Sequence, residues 1–204
     1  FNQDLNGWNV NSVTDMAWMF YRAHSFNQNI SSWNVNSVTN MSNMFRSATT
    51  FNQDISGWNV GTVTDMKSMF QGAFDFDQNL GNWDVSRVKD MQTMFAFASK
   101  FNQDISDWEV DSVVNMYYMF TGALEFNQNI GNWNVERITN MDNMLLGSKI
   151  SKSNYDSLLI GWSNQNLQPN INFHGGNSQY CNADSHRESI IDNFGWTITD
   201  GGLN

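Results

Sequence analysis

The sequence predicts an α/β solenoid, with strands in one parallel sheet on a concave face, short helices on the convex face and a C-terminal cap. Three observations carry that expectation. Phe-Asn-Gln recurs at Phe1, Phe26, Phe51, Phe101 and Phe126, with Phe76-Asp77-Gln78 as a divergent copy. The spacing is 25 residues without insertion or deletion, so six copies cover residues 1–150. Trp8, Trp33, Trp58, Trp83, Trp108 and Trp133 keep the same period, and Met at the sixteenth and nineteenth place of each copy uses all 12 Met of the 204-residue chain. Self-similarity at a fixed period of this length marks a repeat architecture.

Each copy is divided into columns, with Phe1 in column 1 and Ser25 in column 25. Ile55-Ser56-Gly57-Trp58-Asn59-Val60 places apolar residues at Trp58 and Val60, two apart, which is the period of a half-buried strand. Met66, Met69, Phe70 and Ala73 follow at i, i+3, i+4 and i+7, one face of a short amphipathic helix. Column 15 holds Asp15, Asn40, Asp65, Asp90, Asn115 and Asn140, all good N-cap residues for that helix. One strand–helix unit cannot bury its apolar stripe alone, whereas stacked units make a continuous core. A parallel sheet follows, because each copy re-enters in the same direction, and each coil should advance by about 5 Å. The column 2 residues, Asn52 among them, are expected to hydrogen-bond from one rung to the next.

From Ile150 the period is lost, and residues 151–204 read as a capping region that completes the same domain. Ser153 is the expected cap of a helix carrying Tyr155, Leu158, Leu159 and Trp162. Gln168-Pro169-Asn170 is a turn signal. Ile171-Asn172-Phe173 and Trp196-Thr197-Ile198 alternate like strands, and Phe173 and Ile198 are again 25 apart. Asp184 to Phe194 reads as a helix closed by Gly195. Two degenerate rungs should therefore close the far end of the stack, while Phe1, Leu5 and Trp8 have no comparable cover. The chain opens mid-pattern at Phe1, so a segment of a longer protein is expected.

The run Ile55 to Val63, Ile-x-x-Trp-x-Val-x-x-Val, maps onto leucine-rich-repeat logic with Trp and Val in place of Leu. Residues 51–70, Phe-Asn-Gln-Asp-Ile-Ser-Gly-Trp-Asn-Val-x-x-Val-Thr-Asp-Met-x-x-Met-Phe, closely resemble BspA-like leucine-rich-repeat surface proteins of bacteria, including the mycoplasma-type 25-residue repeats. The segments around Trp162, Phe173-His174, Tyr180-Cys181 and Gly195-Trp196 resemble the C-terminal cap common in that family. The resemblance implies a secreted or cell-surface location and a module of a larger adhesin used for attachment. It implies no shared catalytic residues.

Composition narrows the function further. Twenty Asp and Glu against ten Lys and Arg give a formal charge of −10, which argues against a nucleic-acid partner. One Cys excludes an internal disulfide framework and a Cys-rich zinc site. No run of 18 apolar residues predicts membrane insertion. His174 and His186 flank Cys181 in sequence, yet a core-filling cysteine outweighs a Cys–His nucleophile, and no enzymatic activity is expected.

Site candidates lie in the outward columns. If columns 8 and 10 point inward, columns 7, 9 and 11 line the concave face. Asn9, Asn34 and Asn59 make its first half an amide surface; Asp84, Asp107, Glu109, Asp111 and Glu136 make its second half acidic. These eight residues are the expected ligand-binding set, for a cell-surface protein or a glycan. Asp84 beside Glu109, and Asp111 beside Glu136, would repel by roughly 1 kcal/mol or less in water. A Ca2+ ion held by those four carboxylates would relieve the repulsion; the other reading is a solvated acidic surface neutralised by Arg87 and Arg137. Trp18, Tyr21, Tyr117 and Tyr118 are candidate contact aromatics on the outer side. The alternative function is structural self-association, a dimerising or spacer role with or without calcium.

Overall fold

A computed structural model describes residues 1–204. Each of the six copies forms one coil, and successive coils lie side by side in a constant register: Asp15, Asn40, Asp65, Asp90, Asn115 and Asn140 bridge one another in parallel. The coils are not built from the expected strand and helix. Residues 1–150 contain neither element and are chained turns instead. In the third coil, i→i+3 backbone bonds close turns over Ile55–Trp58, Val60–Val63, Met66–Met69, Ser68–Gln71, Phe70–Ala73 and Ala73–Phe76.

The expected helix fails for a visible reason. Columns 18 and 22 are left-handed in every coil: Ser68 has φ 57° and Gly72 φ 69°, and their counterparts match. A helix needs successive right-handed residues, so a left-handed one every four positions prevents it. The amides freed in this way point along the stack. Met66, Ser68, Phe70 and Gly72 N–H donate to the carbonyls of Asp90, Gln92, Met94 and Ala96 at 2.8–3.1 Å. The ladder between coils therefore runs along the Met-x-x-Met-Phe segment, and the Trp-x-Val columns are the turn side. Of 94 backbone hydrogen bonds only 17 lie within helices and strands, so these turns and ladders satisfy most of the backbone.

Asparagine explains how so many turns hold. Columns 4, 9 and 15 each turn a side-chain oxygen back onto the amide two residues on, as Asp54 does to Ser56, Asn59 to Gly61 and Asp65 to Lys67 at 2.9–3.2 Å. Such Asx turns suit Asp and Asn alone. The column 2 amides do bond rung to rung: Asp77 N–H and Gln78 Nε2 both donate to Asn52 Oδ1, at 2.9 and 2.8 Å. The 31 Asn of the chain thus serve largely as backbone partners.

Between turn side and ladder side lies one core of 61 buried apolar residues. Column 1 stacks Phe1, Phe26, Phe51, Phe76, Phe101 and Phe126 with ring centroids 5.7–6.1 Å apart. Column 20 stacks Phe20, Phe45, Phe70, Phe95 and Phe120 at 5.4–5.7 Å. Each repeat indole N–H from Trp33 to Trp133 donates to a column 5 carbonyl of the preceding coil, as Trp58 does to Ile30 at 3.2 Å. A polar atom of the core is thereby paired at every rung.

Residues 151–204 cover the last coil. Helix α1 (Lys152–Ser163) is capped by Ser151, two residues before the expected Ser153, and buries Tyr155, Leu158, Leu159 and Trp162. Strand β1 (Asn172–His174) pairs in parallel with β2 (Thr197–Thr199), Phe173 opposite Ile198, which continues the 25-residue register. Helix α2 (Asp184–Phe194) ends at Gly195 with φ 68°. Leu145 N–H donates to His174 O, and Met141 bridges Phe173, so the cap joins the ladder of the sixth coil. No helix is long and apolar enough to cross a membrane.

Candidate functional site

Columns 9 and 11 do face outward, since Asn9, Asn34, Asn59, Asp84, Glu109 and Asp111 are exposed. The structure divides them into two kinds. Asn9, Asn34 and Asn59 spend their carbonyl oxygens on the amides of Asn11, Asn36 and Gly61 at 3.1–3.2 Å. These oxygens hold the turn, while the Nδ2 groups of the three exposed residues stay at the surface. Asp84 keeps the same turn, accepting from Ser86 N–H at 3.1 Å and Ser86 Oγ at 2.6 Å. The Ser86 hydroxyl, then its amide, holds the Asp84 carboxyl below its ordinary value of 3.8. Asp54 is lowered in the same order by Ser56, and Asp104 by the Ser106 amide, then its hydroxyl. Glu109 breaks the column. Its longer side chain makes no bond to its own turn, which leaves both oxygens to solvent.

Asp84, Ser86, Asp107 and Glu109, with Gly81 and Asn82, line an open groove of about 330 Å³ between the fourth and fifth coils. A second, smaller depression of about 200 Å³ extends it towards Asn79 and Asp104. Gly61 makes room for this wall, because a Cβ there would lie 2.8 Å from Asp84 Oδ2. The groove holds no ion pair: the salt bridges join Lys100 to Asp75, Lys149 to Glu125, and Arg187 to Glu188 and Asp200. Arg87 and Arg137 form no salt bridge with these carboxylates, although the Arg87 charge adds to the lowering of the Asp84 carboxyl.

Glu136 is drawn towards the cap. Its Oε1 accepts from Asn166 N–H at 2.9 Å and its carbonyl from Gln168 Nε2 at 2.8 Å, so it anchors the cap. Nowhere do three or more carboxylate, His or Cys side chains converge as a metal would require. Asp84, Glu109, Asp111 and Glu136 thus do not fit the calcium reading, since Ca2+ takes six to eight oxygens in one shell.

The contact aromatics form two pairs. Trp18 and Tyr21 meet edge to face at 4.9 Å and are 50% and 36% exposed. Tyr117 and Tyr118 lie at 4.3 Å and are only half-buried, and the hydrogen bond to Tyr118 raises the Tyr117 hydroxyl above its ordinary value. The structure adds two residues that the sequence reading left out. Arg22 lies 5.2 Å over the Tyr21 ring, and Arg46 lies 5.8 Å from that ring and 5.9 Å from Trp18. Trp18 and Arg22 sit at φ 65° and 55°. A bulky residue in that region costs roughly 1–2 kcal/mol; the same positions hold Asn, Ser, Thr or Gly in most other coils, but also Tyr118 and Phe97. The signal available in sequence was Trp18, Tyr21 and Arg22 within five residues; their union with Arg46 needs the coil register.

The cap offers no nucleophile pair. Cys181 is exposed and its amide is held by Asp156. His174 Nδ1 accepts from Gly176 N–H at 3.0 Å. His186 Nδ1 contacts Ser163 Oγ at 2.8 Å, but that hydroxyl is also within 2.9 Å of the Ile160 carbonyl. The Ser163 hydroxyl thus has two partners, the His186 ring and the Ile160 carbonyl.

A stack of 25-residue coils with polar and aromatic side chains displayed in outward columns defines a repeat protein. The chain belongs to the family described as Mycoplasma protein of unknown function, DUF285, whose model matches residues 1–95 and 52–158. No curated protein matches the chain, and neither does any solved structure.

Proposed function

We propose that this protein is a non-catalytic binding module, a leucine-rich-repeat-like solenoid displayed outside or on the surface of a bacterial cell as part of an adhesin. It takes a protein or glycan ligand on the face of columns 7, 9 and 11. The observation that carries this reading is Glu109, where one coil gives up a turn that the other five keep. Its freed carboxylate, with Asp84 and Asp107, faces a groove in which no carboxylate forms a salt bridge. Such a groove accepts hydrogen bonds from hydroxyl or ammonium groups, as on sugars or lysine-rich segments.

The test uses residues that other coils carry in the same columns: Asp84→Asn, Asp107→Asn and Glu109→Asn together. Immobilised neutral and amino sugars and a lysine-rich peptide serve as probes. Affinity for the best probe should fall at least tenfold, about 1.4 kcal/mol, at an unchanged melting temperature. Equal binding by the variant would remove the groove from the reading.

A further inference from the structure

We propose that Trp18, Tyr21, Arg22 and Arg46 form a second binding site, separate from the acidic groove, for a saccharide bearing carboxylate or sulfate groups. Residues 1–50 carry two acidic residues, Asp4 and Asp15, and two basic ones, Arg22 and Arg46. The remainder of the chain holds all the net charge of −10. Both cations of the first two coils thus meet on one aromatic pair, and neither has a carboxylate partner although acids outnumber bases two to one.

The chemistry of the cluster selects the ligand. Arg22 and Arg46 stack on the same Tyr21 ring. A guanidinium over a ring still has in-plane N–H donors, which suit a planar or tetrahedral oxyanion. Arg46 spends one nitrogen on Asn43 Oδ1 at 3.3 Å, which fixes its position and leaves its other donors. The edge-to-face Trp18–Tyr21 pair adds a half-exposed indole against which the C–H face of a sugar ring can lie. The backbone amides of Trp18, Tyr21 and Arg22 are all spent on carbonyls, so an anion must be held by the guanidiniums. An acidic peptide satisfies the guanidiniums but makes no use of the flat indole.

Columns 18 and 22 are left-handed in every coil and take Asn43, Ser68, Thr93, Asn143, Ser47 and three Gly as well as the bulky Tyr118 and Phe97. The small residues suit that backbone best. Replacement by the sister-coil residues should therefore leave the fold intact: Trp18→Asn as at Asn43, Arg22→Gly as at Gly72, and Arg46→Gln as at Gln71.

The experiment measures binding of the full chain to a sulfated oligosaccharide (a heparin fragment), to a carboxylated one (oligogalacturonate) and to neutral dextran, with poly-glutamate as the peptide control. At least one acidic saccharide should bind well above dextran and poly-glutamate, more weakly as salt rises. The two anionic arms tell sulfate from carboxylate recognition. Trp18→Asn and the Arg22→Gly/Arg46→Gln pair should each lose at least tenfold, with the melting temperature equal to or above that of the parent. The triple groove variant should bind these probes normally, so failure here and failure of the groove remain distinguishable. Three results would overturn the proposal: no preference over dextran, equal binding by both cluster variants, or poly-glutamate binding as tightly as the saccharides.

Discussion

Phe95→Ala should lower the unfolding free energy by about 3–5 kcal/mol, the usual range for a buried Phe that leaves a cavity. Phe95 is fully buried in the fourth coil. Its ring centroid lies 4.0 Å from Phe101, and 5.6 Å from both Phe70 and Phe120 in the adjoining coils. The column has no slack, because backbone ladders hold each coil at a fixed distance from the next. Urea denaturation measures the loss. Phe1→Ala is the contrast: that ring is 63% exposed and stacks on one side only, on Phe26, so its loss should cost well under 1 kcal/mol. Equal losses at the two positions would mean that the central coils do not carry the stability, against the nearest-neighbour logic of a stack.

Asp200→Ala should cost about 3 kcal/mol, because it removes one partner of a buried, hydrogen-bonded charge pair. The Asp200 side chain is 3% exposed, and its Oδ2 accepts from Arg187 Nε and from the Tyr155 hydroxyl, each at 2.9 Å. These contacts tie α1, α2 and β2 into the cap over the sixth coil. The loss stays at the lower end of the range because Arg187 keeps Glu188 and the Ile198 carbonyl. In a chain of this size the melting temperature should fall by about 6–12 °C. Asp200→Asn retains an acceptor and should lose less than half as much. A loss below 1 kcal/mol for Asp200→Ala would show that the cap is held by its apolar contacts alone. Burial, then the Asp200 charge, holds the Tyr155 hydroxyl neutral well above its ordinary value of 10.0. That contribution is complete below pH 10 and is lost as pH rises through the folded-state value.

Much of this molecule was legible in its sequence for a simple reason. A gapless period places equivalent residues in equivalent surroundings, so the identity of the core columns and the stacking of Asn52 on its neighbours follow from counting. Helix α2, with its Gly195 stop, was equally readable, since capping and termination are local. Periodicity failed where it reports only which side of the chain is apolar. Met66, Met69, Phe70 and Ala73 fit a helix, yet the same spacing serves a row of turns, and hydropathy does not say whether an amide bonds within its own coil or across to the next. Left-handed Ser68 and Gly72 decide that question, and they send the amides across.

The site divides along the same line. Outward columns and acidic character were present in the sequence, as were Trp18 and Tyr21. Which carboxylates are free was not, because it depends on hydrogen bonds two residues long in some columns and thirty residues long in another. Asn59 bonds to Gly61, Glu136 reaches Asn166, and Glu109 is tied to neither its own turn nor the cap. Arg46 joins Trp18 and Tyr21 only through the coil register. The linear chain determined the period, the core alphabet and the charge; the fold alone decided which polar atoms remain unspent, since pairing is settled by distance between coils.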